Sequence, residues 1–291
     1  MQTKAGVYTL YNAEPGWPLV FDSPHSGASY PADFDYACDA HMLSRAEDKF
    51  VDDLFGHVTE HEAAFLKAEF PRTYIDVNRR ENDIDQDILD KPWPMQLAHD
   101  GRAPAGIGLI RRLVKPGIPL YRRQLGADEV MHRIETYYRP YHAALQAILD
   151  ACHYRFGRVW HINCHAMPAH TAYPRSTGRR DSVYSYDFVL GDLDGEGAGS
   201  DLRGVIRDSL IQMGYRVGIN DPYKGVEIVR RYGRPAENRH ALQLEVNKAL
   251  YMDETSCTPN RNYERLKSDL RTLTTDIAAF VRESCIDMAA D

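Results

Sequence analysis

Apolar runs that end in polar turn residues alternate along the chain with segments of helical period. Runs of apolar, β-branched and aromatic residues predict strands at 17–21, 72–77, 159–165, 215–219 and 240–247. Apolar positions spaced three and four residues apart predict helices at 50–58, 129–156, 201–213 and 260–284, the second of them kinked at Pro140. This alternation predicts an α/β fold with a mixed, largely parallel central sheet sandwiched by helices.

Polar side chains follow the predicted strands at their carboxyl ends. His25 comes just after the first strand, Asn78 and Arg79 follow the second, His165 ends the third, and Glu245 lies near the end of the last. In α/β sheets, ligands bind beyond the carboxyl ends of the strands. The recurrence of polar groups at four strand ends therefore predicts a site there.

A capping-box pattern precedes the helix predicted at 50–58. Ser44 and Glu47 have the spacing at which two side chains satisfy the first backbone N–H groups of a helix. This places Asp48 in the first turn of that helix, pointing toward the edge of the core.

Composition and charge exclude several classes of protein. The chain has 291 residues, 43% of them apolar, and 35 Lys and Arg against 42 Asp and Glu give a formal charge of −7. This acidic balance argues against a nucleic-acid partner. No stretch approaches the ~20 apolar residues of a membrane span and the N-terminus lacks a signal-peptide pattern, so we expect a cytoplasmic protein without a membrane partner. No repeat or linker divides the chain, which predicts a single domain over residues 1–291.

Three residues are candidates for a catalytic metal site. His25, Asp48 and His165 supply the donor types that such a site uses while one position stays open for water. Their separations match no short metal motif, so each also has an ordinary interpretation. His25 is then a loop histidine at a tight turn, His165 a core histidine, and Asp48 an acidic residue that stabilises a helix dipole.

Glu245 is the candidate general base. The alternation around it places Leu242, Leu244 and Val246 on one face of the strand and Glu245 on the polar face, where a solvated glutamate is the ordinary alternative. Guanidinium groups that could hold carboxylates come from two clusters, which comprise Arg72, Arg79 and Arg80 and then Arg230, Arg231 and Arg234.

Other catalytic classes have little support in the sequence. There is no GxSxG nucleophile elbow, and the five cysteines form no CxxC pair. The glycine-rich stretch at 191–199 lacks both the GK[ST] ending of a phosphate loop and the GxGxxG pattern of dinucleotide sites.

Several segments, in order along the chain, resemble the N-formylglutamate amidohydrolases. They are SPHSG at 23–27, EDKFVDDLF at 47–55, RTYIDVNR at 72–79, YRPYH at 138–142, NCHAM at 163–167, LGD at 190–192, NDPYKG at 220–225 and QLEVN at 243–247. The resemblance spans about residues 15–285. It implies a fold similar to that of zinc-dependent exopeptidases and a hydrolase that converts N-formyl-L-glutamate to formate and glutamate, a late step in histidine degradation.

The resemblance also implies a zinc site. His25 and His165 resemble the two metal histidines and Asp48 resembles the acidic ligand. Related carboxypeptidases and acylases use a compact His-x-x-Glu, whereas Ala28 stands three residues after His25 here. Glu47 and Asp52 therefore remain alternatives for the acidic ligand.

The remaining roles follow from the same resemblance. Asn78 and Arg79 are similar to an Asn-Arg pair that grips a substrate carboxylate, Arg72 is a second clamp or polarises the scissile carbonyl, and Glu245 resembles the general base. Independently of the resemblance, Arg231 and Arg234 of the second arginine cluster are further expected ligands of a small dicarboxylate substrate. A related deacylase or deiminase of another N-acyl or N-formimino amino acid, and a non-catalytic binder of acidic amino-acid derivatives, are the alternative functions.

Overall fold

The computed structural model describes residues 1–98, 100–175 and 185–287. Its strands are β1 (Gln2–Lys4), β2 (Tyr8–Tyr11), β3 (Leu19–Ser23), β4 (Ala64–Ala68), β5 (Leu113–Lys115), β6 (Ile118–Pro119), β7 (Val159–Met167), β8 (Phe188–Gly191), β9 (Val217–Ile219), β10 (Arg239–Asn247), β11 (Met252–Asp253) and β12 (Thr258–Pro259). Its α-helices are α1 (Ala40–Ala46), α2 (Val51–Phe55), α3 (Ala127–Arg133), α4 (Arg139–Phe156), α5 (Ser200–Gln212), α6 (Glu227–Tyr232) and α7 (Tyr263–Asp287).

Eight strands form one mixed sheet in the order β1-β2-β4-β3-β7-β10-β8-β9. The four central strands, β4, β3, β7 and β10, run parallel to one another. Strands β2 and β8 flank them and run antiparallel to their inner neighbours. The predicted α/β class with a mixed, largely parallel sheet is confirmed.

Helices cover both faces of this sheet. Apolar residues of α3, α4 and α6 pack in one core with strand residues such as Val20 and Ala241. Apolar residues of α2, α5 and α7 pack in a second core with Leu242, Leu244 and Val246 of β10. Burying each such large side chain contributes about 1.5–3 kcal/mol, so the alternation along β10 fixes which face Glu245 occupies.

The parallel register aligns polar residues across three strands. In β7, Asn163 pairs with Asp22 of β3 on one side and with Gln243 of β10 on the other. Two residues further along, His165 pairs with Glu245. The register therefore brings the strand-end polar groups of β3, β7 and β10 side by side.

The capping-box prediction is wrong. Ser44 lies inside α1, whose N-terminus is capped by the Asp39 carboxylate, which accepts from His41 N–H at 2.8 Å. The next helix begins only at Val51, after Phe50 in a left-handed conformation. Asp48 therefore lies in the connection between α1 and α2 rather than in a helical turn.

The strand predicted at 72–77 is also wrong, because this segment is a series of buried turns. Tyr74 N–H donates to the Pro71 carbonyl, and the Asp76 carboxylate accepts from Asn78 N–H at 3.0 Å. A side-chain acceptor of this kind replaces the ladder hydrogen bonds of a strand. The strand that precedes the segment is β4, so Asn78 and Arg79 reach the site from a loop.

The other predicted elements are present with small shifts. The first strand is β3, two residues later than predicted, and β7, β9 and β10 match the later predictions. Helices α5 and α7 match the segments predicted at 201–213 and 260–284. The long helix predicted at 129–156 is α3 and α4 joined by a π-helical segment, Ile134–Tyr138, just before Pro140.

Candidate active site

Two histidines and one aspartate bring their ligand atoms together at the carboxyl ends of the central strands. Asp48 Oδ2 lies 3.1 Å from His165 Nδ1 and 3.4 Å from His25 Nδ1. All three side chains are buried, and one donor atom from each lies within 4.8 Å of the others. Two imidazole nitrogens and a carboxylate oxygen match the donor set of a catalytic metal site with an open position. The cluster could hold one divalent metal ion.

Hydrogen bonds on the far side of each ring orient the two histidines. His25 Nε2 lies 2.7 Å from Asp76 Oδ1, and His165 Nε2 lies 2.7 Å from Asn163 Oδ1. His165 Nε2 also lies 3.1 Å from the Asn78 amide nitrogen, but its shorter contact is with an acceptor. Nε2 of each ring therefore carries the proton, which leaves Nδ1 with its lone pair. His25 Nδ1 is buried and has no hydrogen-bond partner among the described residues. An unpartnered nitrogen that faces a histidine and a carboxylate fits a metal ligand.

Asp76 is a site residue that the sequence analysis missed. Its Oδ1 takes the His25 contact, and its Oδ2 accepts from Arg72 Nη2 at 2.9 Å. Burial alone would raise the pKa of this fully buried carboxyl, but His25 and Arg72 hold the pKa well below its usual range. The only indication in the sequence was an acidic residue inside an apolar run. In metal sites, the ring nitrogen of a histidine that does not bind the metal commonly donates to a carboxylate, which orients the ring. The contact between Asp76 and His25 has this arrangement.

Replacing Asp76 with asparagine is expected to weaken metal binding by about tenfold to a hundredfold. The amide oxygen can still accept from His25, but the negative charge that strengthens this histidine as a donor is lost. A competition assay against a chromogenic chelator measures the metal affinity. Asp85→Asn is the matched control, because Asp85 is also buried and paired with an arginine, Arg112, but does not line the cavity. Equal metal affinities for wild type and D76N would contradict the orienting role.

Contacts from distant parts of the chain place Asp48 in the cluster. Its backbone N–H donates to the His25 carbonyl at 3.0 Å, which ties the two ligand loops together. The buried Lys248 ammonium donates to the Glu47 carbonyl at 2.5 Å. Arg72 Nη1 donates to Asp48 Oδ1 at 3.3 Å. Burial would raise the pKa of Asp48, but Arg72 and the two histidines hold the pKa well below its usual range.

The two alternative acidic ligands lie outside this cluster. The Glu47 carboxylate accepts a hydrogen bond from the Tyr30 hydroxyl, and burial raises its pKa. The Asp52 carboxylate pairs with Lys67 at 3.3 Å near the surface. Among the described residues, Asp48 is the acidic member of the group that brings its donor atoms together with His25 and His165.

Glu245 lies beside the cluster of His25, Asp48 and His165, on the strand next to β7. Gln243 donates from Nε2 to Glu245 Oε1 at 2.7 Å, so one carboxylate oxygen is held by the protein. Burial raises the pKa of Glu245 to about 7, with Asp48 adding to the rise and His165 opposing it. A buried carboxylate with a pKa near neutrality can both accept and return a proton under physiological conditions.

Asn78 is held by the protein on both ends of its amide. Its Oδ1 accepts from Ile228 N–H at 2.9 Å, and its Nδ2 donates to Gln243 Oε1 at 3.3 Å. Because Gln243 in turn donates to Glu245, these residues form a chain that fixes the Glu245 carboxylate. The geometry gives Asn78 a positioning role toward the Glu245 carboxylate.

Arg72 and Arg79 both line the cavity but differ in their partners. Arg72 lies between Asp48 and Asp76 and forms an ion pair with each. The described hydrogen bonds of the Arg79 guanidinium go to main-chain carbonyls, Ile107 O at 3.0 Å and Asn78 O at 2.8 Å. Arg79 therefore carries a positive charge that is not paired with a carboxylate in any of these hydrogen bonds.

Arg231 and Arg234 do not reach the cavity, in contrast to the prediction. Both side chains are exposed, and Arg231 Nη1 lies 3.4 Å from the Tyr138 hydroxyl. Arg230 lines the cavity instead. Consecutive residues of a helix point in directions about 100° apart, so the turn of α6 decides which arginine of the cluster faces inward.

The cavity has a volume of about 1240 Å³ and a basic lining. Eleven Lys and Arg side chains line it against seven Asp and Glu, counted over the part of the chain that the structure describes. The whole chain carries the opposite balance, with a formal charge of −7. Positive charge is thus concentrated where a small anion would enter.

Comparison with known proteins identifies the family. The family model described as N-formylglutamate amidohydrolase matches residues 17–252. The chain belongs to the N-formylglutamate amidohydrolase family and is a hydrolase that acts on an amide bond. The predicted family resemblance is confirmed.

Individual relatives agree with this assignment. The chain is 42% identical in sequence to an N-formylglutamate amidohydrolase from Ralstonia eutropha JMP134 with a known crystal structure. The two structures superpose with a TM-score of 0.89 over 96% of this chain and 99% of that one. An N-formylglutamate deformylase of Pseudomonas putida is 29% identical over 82% of this chain and 83% of its own length. A second, from Pseudomonas aeruginosa, is 27% identical over 91% and 94%.

In the part of the chain that the structure describes, no helix combines the length and apolar character needed to cross a membrane.

Proposed function

We propose that this protein hydrolyses N-formyl-L-glutamate to formate and L-glutamate, with a zinc ion held by His25, Asp48 and His165. The observation that carries the proposal is the pairing of Glu245 with His165 across two parallel strands, which brings a buried carboxylate beside the donor cluster. The names of the relatives from Ralstonia and Pseudomonas support the choice of substrate. The donor set supports zinc.

The residues of the chain carry the proton transfers. A divalent ion bound by the three ligands would supply a Lewis acid for the formyl oxygen and would acidify water. Glu245 accepts the proton of the attacking water and then donates it to the leaving nitrogen. Gln243 holds Oε1 of the base, and Oε2 makes no hydrogen bond to a described residue. Arg72, 3.3 Å from Asp48, stabilises negative charge that develops on the formyl oxygen.

Specificity rests on the amino-acid half of the substrate, because a formyl group offers almost no surface to recognise. We assign a substrate carboxylate to Arg79, whose guanidinium lines the cavity and bonds main-chain carbonyls. Binding at a distance from the reacting carbon would orient the amide. Asn78 supports this arrangement by fixing Gln243 rather than by contacting substrate.

A substrate panel tests the proposed reaction. The zinc-loaded protein is incubated with N-formyl-L-glutamate, N-acetyl-L-glutamate, N-formimino-L-glutamate and N-formyl-L-leucine, and release of L-glutamate or leucine is measured. We expect kcat/KM to be highest for N-formyl-L-glutamate. A higher kcat/KM for the acetyl or the formimino compound would replace the proposed function with a related deacylase or deiminase.

The rate is expected to rise with pH through the pKa of Glu245, since only the ionised carboxylate can accept a proton. Burial raises this pKa to about 7 and a cation at the cluster would lower it, so kcat/KM should show an acid limb with its midpoint at or below pH 7. A pH profile of formate release measures the limb. If the residual activity of Glu245→Gln shows the same acid limb, the limb arises from the titration of a different group.

The family resemblance also supports a place for this reaction late in histidine degradation. A strain without the gene should then accumulate N-formyl-L-glutamate when histidine is its nitrogen source. Normal growth on histidine without this accumulation would contradict the assignment.

A further inference from the structure

Arg111 is a buried arginine that the proposed mechanism does not use. It lies in the connection between β4 and β5, where it forms an isolated bridge with Ile107. Its side chain is 9% exposed and lines the same cavity as His25, His165 and Glu245. Charged side chains are buried to this degree when they are paired or when they serve a ligand.

The partners of Arg111 within the chain are weak. Among the described residues, its one ion pair is with Asp76 Oδ2 at 3.7 Å, an oxygen that already accepts from Arg72 at 2.9 Å. Its Nε is buried without a hydrogen-bond partner, and no described residue accepts a hydrogen bond from the rest of the guanidinium. Asp76 also accepts from the Nε2–H of His25, so its single charge is shared between two guanidinium groups and an imidazole.

A second buried arginine has stronger partners, although its Nε also lacks a hydrogen-bond partner among the described residues. Arg133 donates to Glu129 at 2.6 Å, to the Tyr121 hydroxyl at 2.7 Å and to the Tyr74 carbonyl at 3.1 Å. Arg111 makes no comparable contact. Burial, together with repulsion from Arg72 and Arg79, lowers the pKa of Arg111 to about 9. The surroundings of Arg111 therefore carry excess positive charge that an anion in the cavity would balance.

We propose that the Arg111 guanidinium binds a carboxylate of the substrate, forming with Arg79 a two-arginine receptor on the cavity wall. A planar guanidinium can hold both oxygens of a carboxylate, and exclusion of water strengthens this pairing. The assignment rests on the proposed function to the extent that the carboxylate belongs to an N-formyl amino acid. N-formyl-L-glutamate offers two such groups, the α-carboxylate and the distal carboxylate.

Three substrates separate these two groups. N-formyl-L-glutamine lacks the distal carboxylate, N-formyl-4-aminobutyrate lacks the α-carboxylate, and N-formyl-L-glutamate has both. In R111M we expect KM to rise by about tenfold to a hundredfold for the substrates that share the bound carboxylate, and to change little for the third substrate. R111K keeps the charge without the fork and should give an intermediate KM. R112M is the matched control, because Arg112 pairs with Asp85 outside the cavity.

Two results would overturn the proposal. One is an equal loss on all three substrates, which is what a purely structural role beside Asp76 produces, and the other is an unchanged KM for all three. Thermal unfolding of each variant checks its fold, and R111K serves as the test variant if R111M does not fold.

A binding measurement separates failure of this proposal from failure of the proposed function. Glutarate carries two carboxylates and no amide, so calorimetry with glutarate measures the receptor without turnover. If wild type releases no formate from any substrate, weaker glutarate binding by R111M than by R112M still supports the receptor. Equal glutarate binding by wild type, R111M and R112M overturns it.

Discussion

Replacing Glu245 with glutamine is expected to lower kcat for N-formyl-L-glutamate by a factor of about 10² to 10⁴. Glutamine has nearly the same size and can still accept from Gln243, so the fold and the cavity are preserved. It cannot take a proton from water, so both proton transfers are lost. Because the base acts in the transition state, kcat should fall far more than KM changes. Steady-state measurement of formate release gives both constants.

Glu254→Gln is the matched control for this experiment. Glu254 lines the same cavity, and its carboxylate accepts from Ala169 N–H at 2.9 Å, a contact that an amide oxygen can keep. We expect near wild-type kcat in this variant. Unchanged turnover in Glu245→Gln, or an equal fall in both variants, would remove Glu245 from the role of general base.

Replacing His165 with alanine is expected to abolish both stoichiometric metal binding and formate release. This histidine supplies one of the three donor atoms of the cluster. Substitutions of residues that only orient a metal ligand lower metal affinity by about tenfold to a hundredfold, and we expect the loss of a ligand itself to lower it further. Metal content per chain after gel filtration, measured by plasma emission spectroscopy, is the direct readout.

His161→Gln controls for damage to the strand. His161 lies four residues earlier on the same face of β7, is equally buried, and contacts Asp22 at 2.8 Å instead of the cluster. We expect this variant to lose stability but to keep its metal. Wild-type metal content in His165→Ala, or metal loss in both variants, would contradict the assignment of His165 as a ligand.

The alternation of side chains along the strands made much of the site predictable. Leu242, Leu244 and Val246 bury one face of β10, so Glu245 had to lie on the other. The same period places His165 on the polar face of β7. The register that puts these two residues side by side could not be predicted, because it depends on the packing of the whole sheet rather than on either strand.

Loop residues were the least predictable part. Asp48 was predicted as a ligand, but in a helical turn. It lies instead in a connection, which is held by its own contact with His25 and by the contact of its neighbour Glu47 with Lys248. Such long-range contacts leave no local pattern in the sequence. Residues 72–77 are apolar because they form buried turns and not because they form a strand. The Asp76 side chain accepts a backbone hydrogen bond that a neighbouring strand would otherwise accept.

The arginines show a further limit of sequence patterns. Arg231 and Arg234 stood in a conspicuous cluster, but the orientation of α6 leaves both outside the cavity and turns Arg230 inward. Arg111 is distinguished only by what surrounds it, namely burial, an already shared Asp76 and the absence of an accepting partner among the described residues. Which arginine faces the cavity depends on the tertiary structure and could not be predicted from the sequence.

Titration of the metal-free protein with zinc, followed by formate release from N-formyl-L-glutamate, tests the central claim most directly. The claim is that one metal ion at His25, Asp48 and His165 works together with Glu245. It predicts that activity rises linearly and levels off at one equivalent of zinc per chain, and that Glu245→Gln binds the same equivalent without regaining activity. Full turnover by protein shown to be free of metal would contradict it.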